Sequence, residues 1–172
     1  MELITRRLVL RPWRDSDAAA LYQLARDPRI GGPCGWPPHK NKAQSLHILR
    51  DILCGPERYA VTLRTDGTLI GAIDLKTQDE CDFLASSNEY AVGYWIGAAF
   101  WGNGYAAEAL AALMEHARVA LHAEAILARH LLDNEQSHRV MEKCGLKLVR
   151  TYKTTAGYPL AGRECLIMRR DL

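Results

Sequence analysis

In the run FWGNGYAAEAL, Phe100–Leu110, side chains are nearly absent at Gly102, Gly104 and Ala106, just where an amphipathic helix begins. A helix starts with unpaired backbone N–H groups and a partial positive charge. When the preceding turn lacks side chains, those donors can surround a phosphate. The same glycines also suit a plain tight turn, so both readings stand. Two familiar phosphate loops are missing: there is no G-x-x-x-x-G-K-[ST], and G-N-G-Y-A-A lacks the third glycine of a dinucleotide fingerprint. Among other reactive groups, Asp74 sits between Ile73 and Leu75 in a strand-like run, where its carboxylate can face a cleft. Trp36 and His39 lie in the proline- and glycine-rich DPRIGGPCGWPPHKN. A structured loop of this kind can wall a site, with His39 touching substrate or acting as base; alternatively Trp36 only covers the core and His39 is solvated. His130 reads as structural, and Glu108, in a first helical turn, as a complement to the helix dipole. Nothing has the spacing of a hydrolase triad or a metal site.

The elements that must position these groups follow from periodicity. Leu3–Arg11 alternates as a strand closed by Pro12, and Asp15 or Ser16 can cap a helix through Arg26. The stretch from Asp27 to Asn41 reads as a loop. Ala43–Leu53 is a second helix; Tyr59–Leu63 and Thr68–Leu75 form a hairpin across Arg64-Thr65-Asp66-Gly67. Polar Gln78–Asn88 is a loop before the strand Glu89–Ile96. Leu110, Leu113, Met114, Ala117 and Leu121 follow helical spacing in Ala106–Leu121, and Ala125–Leu132 returns as a strand. Asp133 or Asn134 caps a short helix ended by Gly145, before strands at Leu146–Thr154 and Glu164–Arg169. The order is mixed α/β in one domain spanning residues 1–172.

The 172 residues suit a sizeable core, and 22 Lys plus Arg against 20 Asp plus Glu do not suggest a nucleic-acid binder. No run approaches the roughly 18 apolar residues of a membrane span, and the N-terminus lacks a signal-peptide pattern. Five scattered cysteines, with no C-x-x-C, read as free thiols of a cytoplasmic protein.

GYWIGAAFWGNGYAAEAL resembles the cofactor-binding segment of the GNAT-superfamily N-acetyltransferases, closest in pattern to their ribosomal-protein (RimJ/RimL-like) branch. The superfamily's Q/R-x-x-G-x-G/A is matched as Trp101-x-x-Gly104-x-Ala106, with Trp in the first place as in the branch's W-G-x-G form. DNEQSHRVMEKCGL resembles the branch's N-x-x-S-x-x-x-x-x-K-x-G-F, with Leu146 for Phe, and TRRLVLRPW is similar to its first strand. The resemblance implies a central, mostly antiparallel mixed sheet of about six to seven strands, splayed at the middle and flanked by about four helices. It also implies acetyl-CoA as co-substrate, with no metal. Gly102, Asn103, Gly104, Tyr105 and Ala106 would offer amides to the pyrophosphate, with Trp101 in the motif. Trp95, Ile96 and Gly97 would line the splay where pantetheine pairs, and Asn134 would contact the pantetheine arm. Tyr94, Trp36 and His39 are candidates for the acceptor side, and Tyr94 and Trp95 also suit plain strand packing.

Acetyl transfer to an amine needs a base for the ammonium proton, a donor for the oxyanion and an acid for the thiolate. By resemblance, a backbone N–H of Glu89–Ile96 is the oxyanion donor. The superfamily's usual acid, a tyrosine seven residues after the Asn, is Met141 here; the branch's substitute serine is Ser137, one turn away on the same face. Ser137 would act as acid, or it merely stabilises the helix start. The branch's E-x-G-Y-W glutamate is Ala91 here; Glu89, two residues earlier on the same sheet face, substitutes through a water or is an exposed charge at the strand's start, and Asp74 is another candidate. The reading is transfer of acetyl to a primary amine, on a small molecule or a protein N-terminus, by direct attack in a ternary complex. The chain would act as a monomer or homodimer, without nucleic acid or membrane. Ala91 and Met141 keep a non-catalytic acyl-CoA sensor as the alternative.

Overall fold

The computed structural model describes residues 1–154 and 161–172. Eight strands form one sheet in the order β1-β2-β3-β4-β5-β6-β8-β7. They are β1 (Leu3–Ile4), β2 (Leu8–Pro12), β3 (Arg58–Leu63), β4 (Leu69–Lys76), β5 (Glu89–Ile96), β6 (Ala125–Leu131), β7 (Lys147–Lys153) and β8 (Glu164–Asp171). Every neighbouring pair is antiparallel except β5–β6. The helices are α1 (Ala18–Ala25), α2 (Pro28–Cys34), α3 (Lys42–Ile48), α4 (Tyr105–Ala120) and α5 (Glu135–Lys143).

Two elements exceed the sequence expectation. The first strand is a hairpin, because Thr5 turns the chain: its N–H donates to Leu8 O (2.9 Å) and its hydroxyl accepts from Leu8 N (2.8 Å). The proline- and glycine-rich segment holds the extra helix α2. Asp27 caps it by accepting from Arg29 N (3.0 Å), Pro28 presets the first helical φ, and Gly35 ends it at φ +85°. Gly31 is required there, since a Cβ would lie 2.3 Å from Trp36 O and 2.6 Å from the Trp36 ring, which folds back on the helix.

The sheet separates two layers. On one face, Leu110, Leu113, Met114 and Ala117 of α4 are buried with Ile73, Val92, Ile126 and Met168. Each buried leucine contributes roughly 1.5–3 kcal/mol. On the other face, Leu21 and Ala25 of α1 and Leu49, in a wide turn that extends α3 to Leu53, cover Ala60 and Ala72. Beyond them, the 77–88 segment lays Cys81, Phe83 and Leu84 against Ala91, Leu127 and Ile167. Among the described residues, no helix is long and apolar enough to cross a membrane.

Candidate active site

The parallel ladder between β5 and β6 is short. It pairs Glu89 with Ala125 through Val92 with Ala128 and then stops, although β5 continues to Ile96 and β6 to Leu131. The strands part there. Gly97 N donates to Ile70 O (2.8 Å), so the backbone groups of Tyr94 and Ile96, alternating with it, point to the opposite edge, into the gap. Ile96 O accepts from the Trp101 indole (2.6 Å), which ties the end of β5 to the turn before α4. Gly97 allows close packing, since a Cβ there would meet Leu24 Cδ2 at 2.7 Å.

The turn itself is left-handed at Gly102 (φ +78°) and Gly104 (φ +77°), a conformation that costs a residue with a Cβ roughly 1–2 kcal/mol. Asn103 spends its amide on Phe100 O and Trp101 O, both at 3.1 Å, which closes the turn. A Cβ at Gly104 would meet only Arg7 Nη2 at 3.7 Å and Lys143 Nζ at 4.0 Å. Two cations therefore flank an open space over the start of a sixteen-residue helix. Arg7 is held there by Glu108, which accepts from Arg7 N (2.8 Å), Arg7 Nε (2.7 Å) and Thr5 Oγ1 (2.7 Å), and by stacking 4.6 Å over the Tyr105 ring. Burial opposes ionisation of Glu108, but the Thr5 and Arg7 hydrogen bonds prevail and hold its carboxyl below the usual range.

At the inner end of the gap, Asn134 caps α5 by accepting from Ser137 N (3.1 Å), and the Tyr94 hydroxyl donates to Ser137 O (3.2 Å). Burial raises the Tyr94 pKa, and the Ser137 side chain, also a hydrogen-bond partner of Tyr94, lowers it against that rise. A narrow opening lined by Ile96, Trp101, Ala106, Asn134 and Ser137 joins a larger cavity through Pro33, Cys34, Tyr94, Trp95, Asn134 and Ser137.

That cavity, about 480 Å³, runs across the α1–α3 face of the sheet and includes Trp36, His39, Asp74, Gly93 and Met141 in its lining. Asp74 lies opposite Gly93 in the β4–β5 register, its Oδ2 3.6 Å from Lys76 Nζ. Burial raises its pKa despite the attraction of Lys76 and Arg58. His39 Nδ1 meets Ser45 Oγ at 2.8 Å, and burial pushes its pKa down, favouring the neutral ring. Burial pushes the Cys34 thiol up to about 11, which leaves it protonated and a poor nucleophile near neutrality.

The gap between the parallel strands is thus floored by a glycine turn and opens on a carboxylate-bearing cavity. The family model for the acetyltransferase (GNAT) domain matches residues 7–147. The chain belongs to the GNAT acetyltransferase family. It is an N-acetyltransferase of that family, and the resemblance read from Trp101–Ala106 and Asn134–Leu146 is borne out. The chain is 24% identical over 147 residues to the uncharacterized N-acetyltransferase YnaD of Bacillus subtilis, covering 86% of this chain and 83% of that protein. A GNAT acetyltransferase from Bacillus anthracis superposes with a TM-score of 0.86 at 19% identity, covering 99% and 98% of the two chains. The ribosomal-protein acetyltransferase RimL, solved with coenzyme A, does so at 0.78 and 18% identity, covering 100% and 98%.

Within this GNAT fold the residues singled out in the sequence divide. Trp95, Ile96, Trp101, Ala106, Asn134, Ser137 and Tyr94 surround the gap; Gly102, Asn103, Gly104 and Tyr105 make the turn; Trp36, His39 and Asp74 line the larger cavity. Glu89 is elsewhere. It is buried in an ion pair with Arg169, accepts from Ala85 N (2.9 Å) and does not line the cavity. Burial opposes its ionisation, yet Arg169 and the Ala85 N–H hold its pKa down. Its strand face is the expected one, but it sits at the start of β5, where it pairs with Ala125 of β6 and the Arg169 side chain reaches it from β8. Arg7 and Lys143, the two cations beside the Gly104 space, lie in the quoted blocks but were not singled out in the sequence.

Gly93 has its own consequence. A Cβ there would lie 2.5 Å from Asp74 Oδ1. Gly93→Ala is expected to swing the carboxylate aside, lowering kcat at least about tenfold while acetyl-CoA affinity stays within about twofold. Steady-state kinetics beside a binding titration reads both.

Proposed function

We propose that the protein transfers acetyl from acetyl-CoA to a primary amine delivered to Asp74, by direct attack in a ternary complex. The observation that carries this is the junction at Tyr94, Trp95, Asn134 and Ser137, where the strand gap opens into the cavity holding the half-buried carboxylate of Asp74. In this reading the amides of Gly102–Ala106, with Arg7 and Lys143 beside them, receive the pyrophosphate, since charge on both sides suits a dianion. Pantetheine continues β5 across the gap, and Asn134, whose side-chain oxygen already caps α5, turns its NH₂ to it.

Asp74 binds the incoming ammonium and takes its proton, a task suited to a carboxylate whose affinity for protons has been raised by burial. The free amine then attacks the thioester carbon, and Tyr94 N–H, beyond the last β5–β6 pair, donates to the oxygen as it gains charge. As the C–S bond breaks, the surplus proton of the attacking nitrogen passes to the departing thiolate through the Ser137 hydroxyl, which gives one proton and receives another. The Cys34 thiol, protonated at neutral pH, supports attack by the amine itself in place of an acetyl-cysteine. Asp74, where the branch's glutamate is Ala91, also favours the catalytic reading over a sensor.

The test is release of CoA thiol from acetyl-CoA with a panel of primary amines. Amine-dependent release together with the N-acetyl product is expected; acetyl-CoA binding with no amine ever acetylated would sink the reading. Ser137→Ala is expected to lower kcat about 10-fold to 100-fold with little change in acetyl-CoA affinity. Unchanged turnover would reduce Ser137 to a helix-start residue.

A further inference from the structure

We infer that the acceptor is a singly charged primary amine carried on a compact apolar or aromatic body, which the Trp36 side of the cavity selects. This rests on the reading of Asp74 as the amine's receptor and adds the class of molecule that brings it. On one side of Asp74 the lining is Trp13, Leu21, Trp36, Ile48 and Leu53. Trp36 stands edge-on to Trp95 at 6.1 Å and tilted against His39 at 5.4 Å, so the aromatic rings form a continuous wall. The wall is fixed, because Gly31 lets Trp36 pack against α2 and the His39 N–H donates to Ala25 O (3.1 Å). Such rings offer dispersion to an apolar body and a π-face to an ammonium.

The charges point the same way. The carboxylates lining the cavity are Asp74, Glu80 and Asp82. Glu80 is paired with Arg58 and also accepts from Thr77 N (3.2 Å), while Asp82 accepts from Tyr152 Oη (2.5 Å) and lies 3.5 Å from Arg129. Arg58, Lys76 and Arg129 match the three carboxylates in number, so the cavity has no excess negative charge for a polycation. An amino sugar would need a hydrogen-bond partner for each buried hydroxyl, and the apolar side supplies almost none. The volume of about 480 Å³ lies in the ordinary range for a small-molecule site.

The experiment compares kcat/KM for phenethylamine and tryptamine with that for spermidine, glucosamine and a serine-initiated peptide, on wild type, Trp36→Ala and Trp36→Phe. The arylalkylamines are expected to lead by at least about tenfold. Trp36→Ala is expected to remove that lead, chiefly through KM, and Trp36→Phe to restore most of it, with acetyl-CoA affinity constant throughout. Preference for spermidine, glucosamine or the peptide would overturn the inference while leaving the acetyltransferase reading standing. So would an arylalkylamine lead that survives Trp36→Ala. Acetyl-CoA binding without turnover of any amine would remove both.

Discussion

Gly104→Val is expected to weaken acetyl-CoA binding on the order of 100-fold, the loss that follows from removing one or two charge-assisted phosphate contacts. The open space at Gly104 faces Arg7 and Lys143, and a valine there fills the place a phosphate would take. The substitution also costs stability, since φ is +77° and valine is β-branched. Binding must therefore be titrated at a temperature where circular dichroism reports folded protein. Lys143→Ala supplies the control without touching the backbone: its affinity is expected to fall about tenfold and to lose part of its salt dependence. Unchanged affinity in both folded variants would remove the pyrophosphate from this turn.

Asp74→Asn is expected to lower kcat with the best amine by about 10²–10⁴-fold, the usual worth of a positioned base, while acetyl-CoA affinity holds. The pH profile carries the diagnosis. In the wild type, activity rises with pH as Asp74 loses its proton around a pKa raised by burial, and that acidic limb should vanish in the variant. Stability should move the opposite way to activity. A carboxyl whose folded pKa is raised contributes stability below its unfolded pKa, and this is lost as pH rises through the folded value. Above the folded pKa the ionised, partly buried Asp74 is therefore a cost, and Asp74→Asn is expected to raise Tm there. The gain should shrink as pH falls and Asp74 becomes protonated in both states. Thermal melts across pH 4–8 read this directly. A variant that loses activity because it is less stable would show the reverse.

Much of this was legible in the sequence where one chain segment carries the signal alone. Glu89–Ile96 and the glycine turn after it lie where their alternation and small residues place them, and Asn134 and Gly145 bound α5 as capping chemistry requires. What was hidden depends on distant partners. The break after Ile4 is reinforced by Glu108, which holds Thr5 and Arg7 from more than a hundred residues away. The same contact brings Arg7 beside Lys143, a pairing no local spacing encodes. Glu89 and Asp74 are both carboxylates on the same sheet face. Only the position of Arg169 on β8 shows that Glu89 is locked in a close, buried ion pair, whereas Asp74 faces Lys76 at 3.6 Å in the cavity. In α2, prolines and glycines read as breakers, yet Asp27-Pro28 is a strong helix start and Gly31 makes room for Trp36.

The most direct test of the site is a crystal structure of the protein with coenzyme A. The expected result is pyrophosphate oxygens within about 3.2 Å of backbone amides of Gly102–Ala106, pantetheine along Gly93–Ile96 in the β5–β6 gap, and the thiol at the mouth of the cavity that holds Asp74. Coenzyme A bound outside the gap, or a thiol directed away from Asp74, would contradict it.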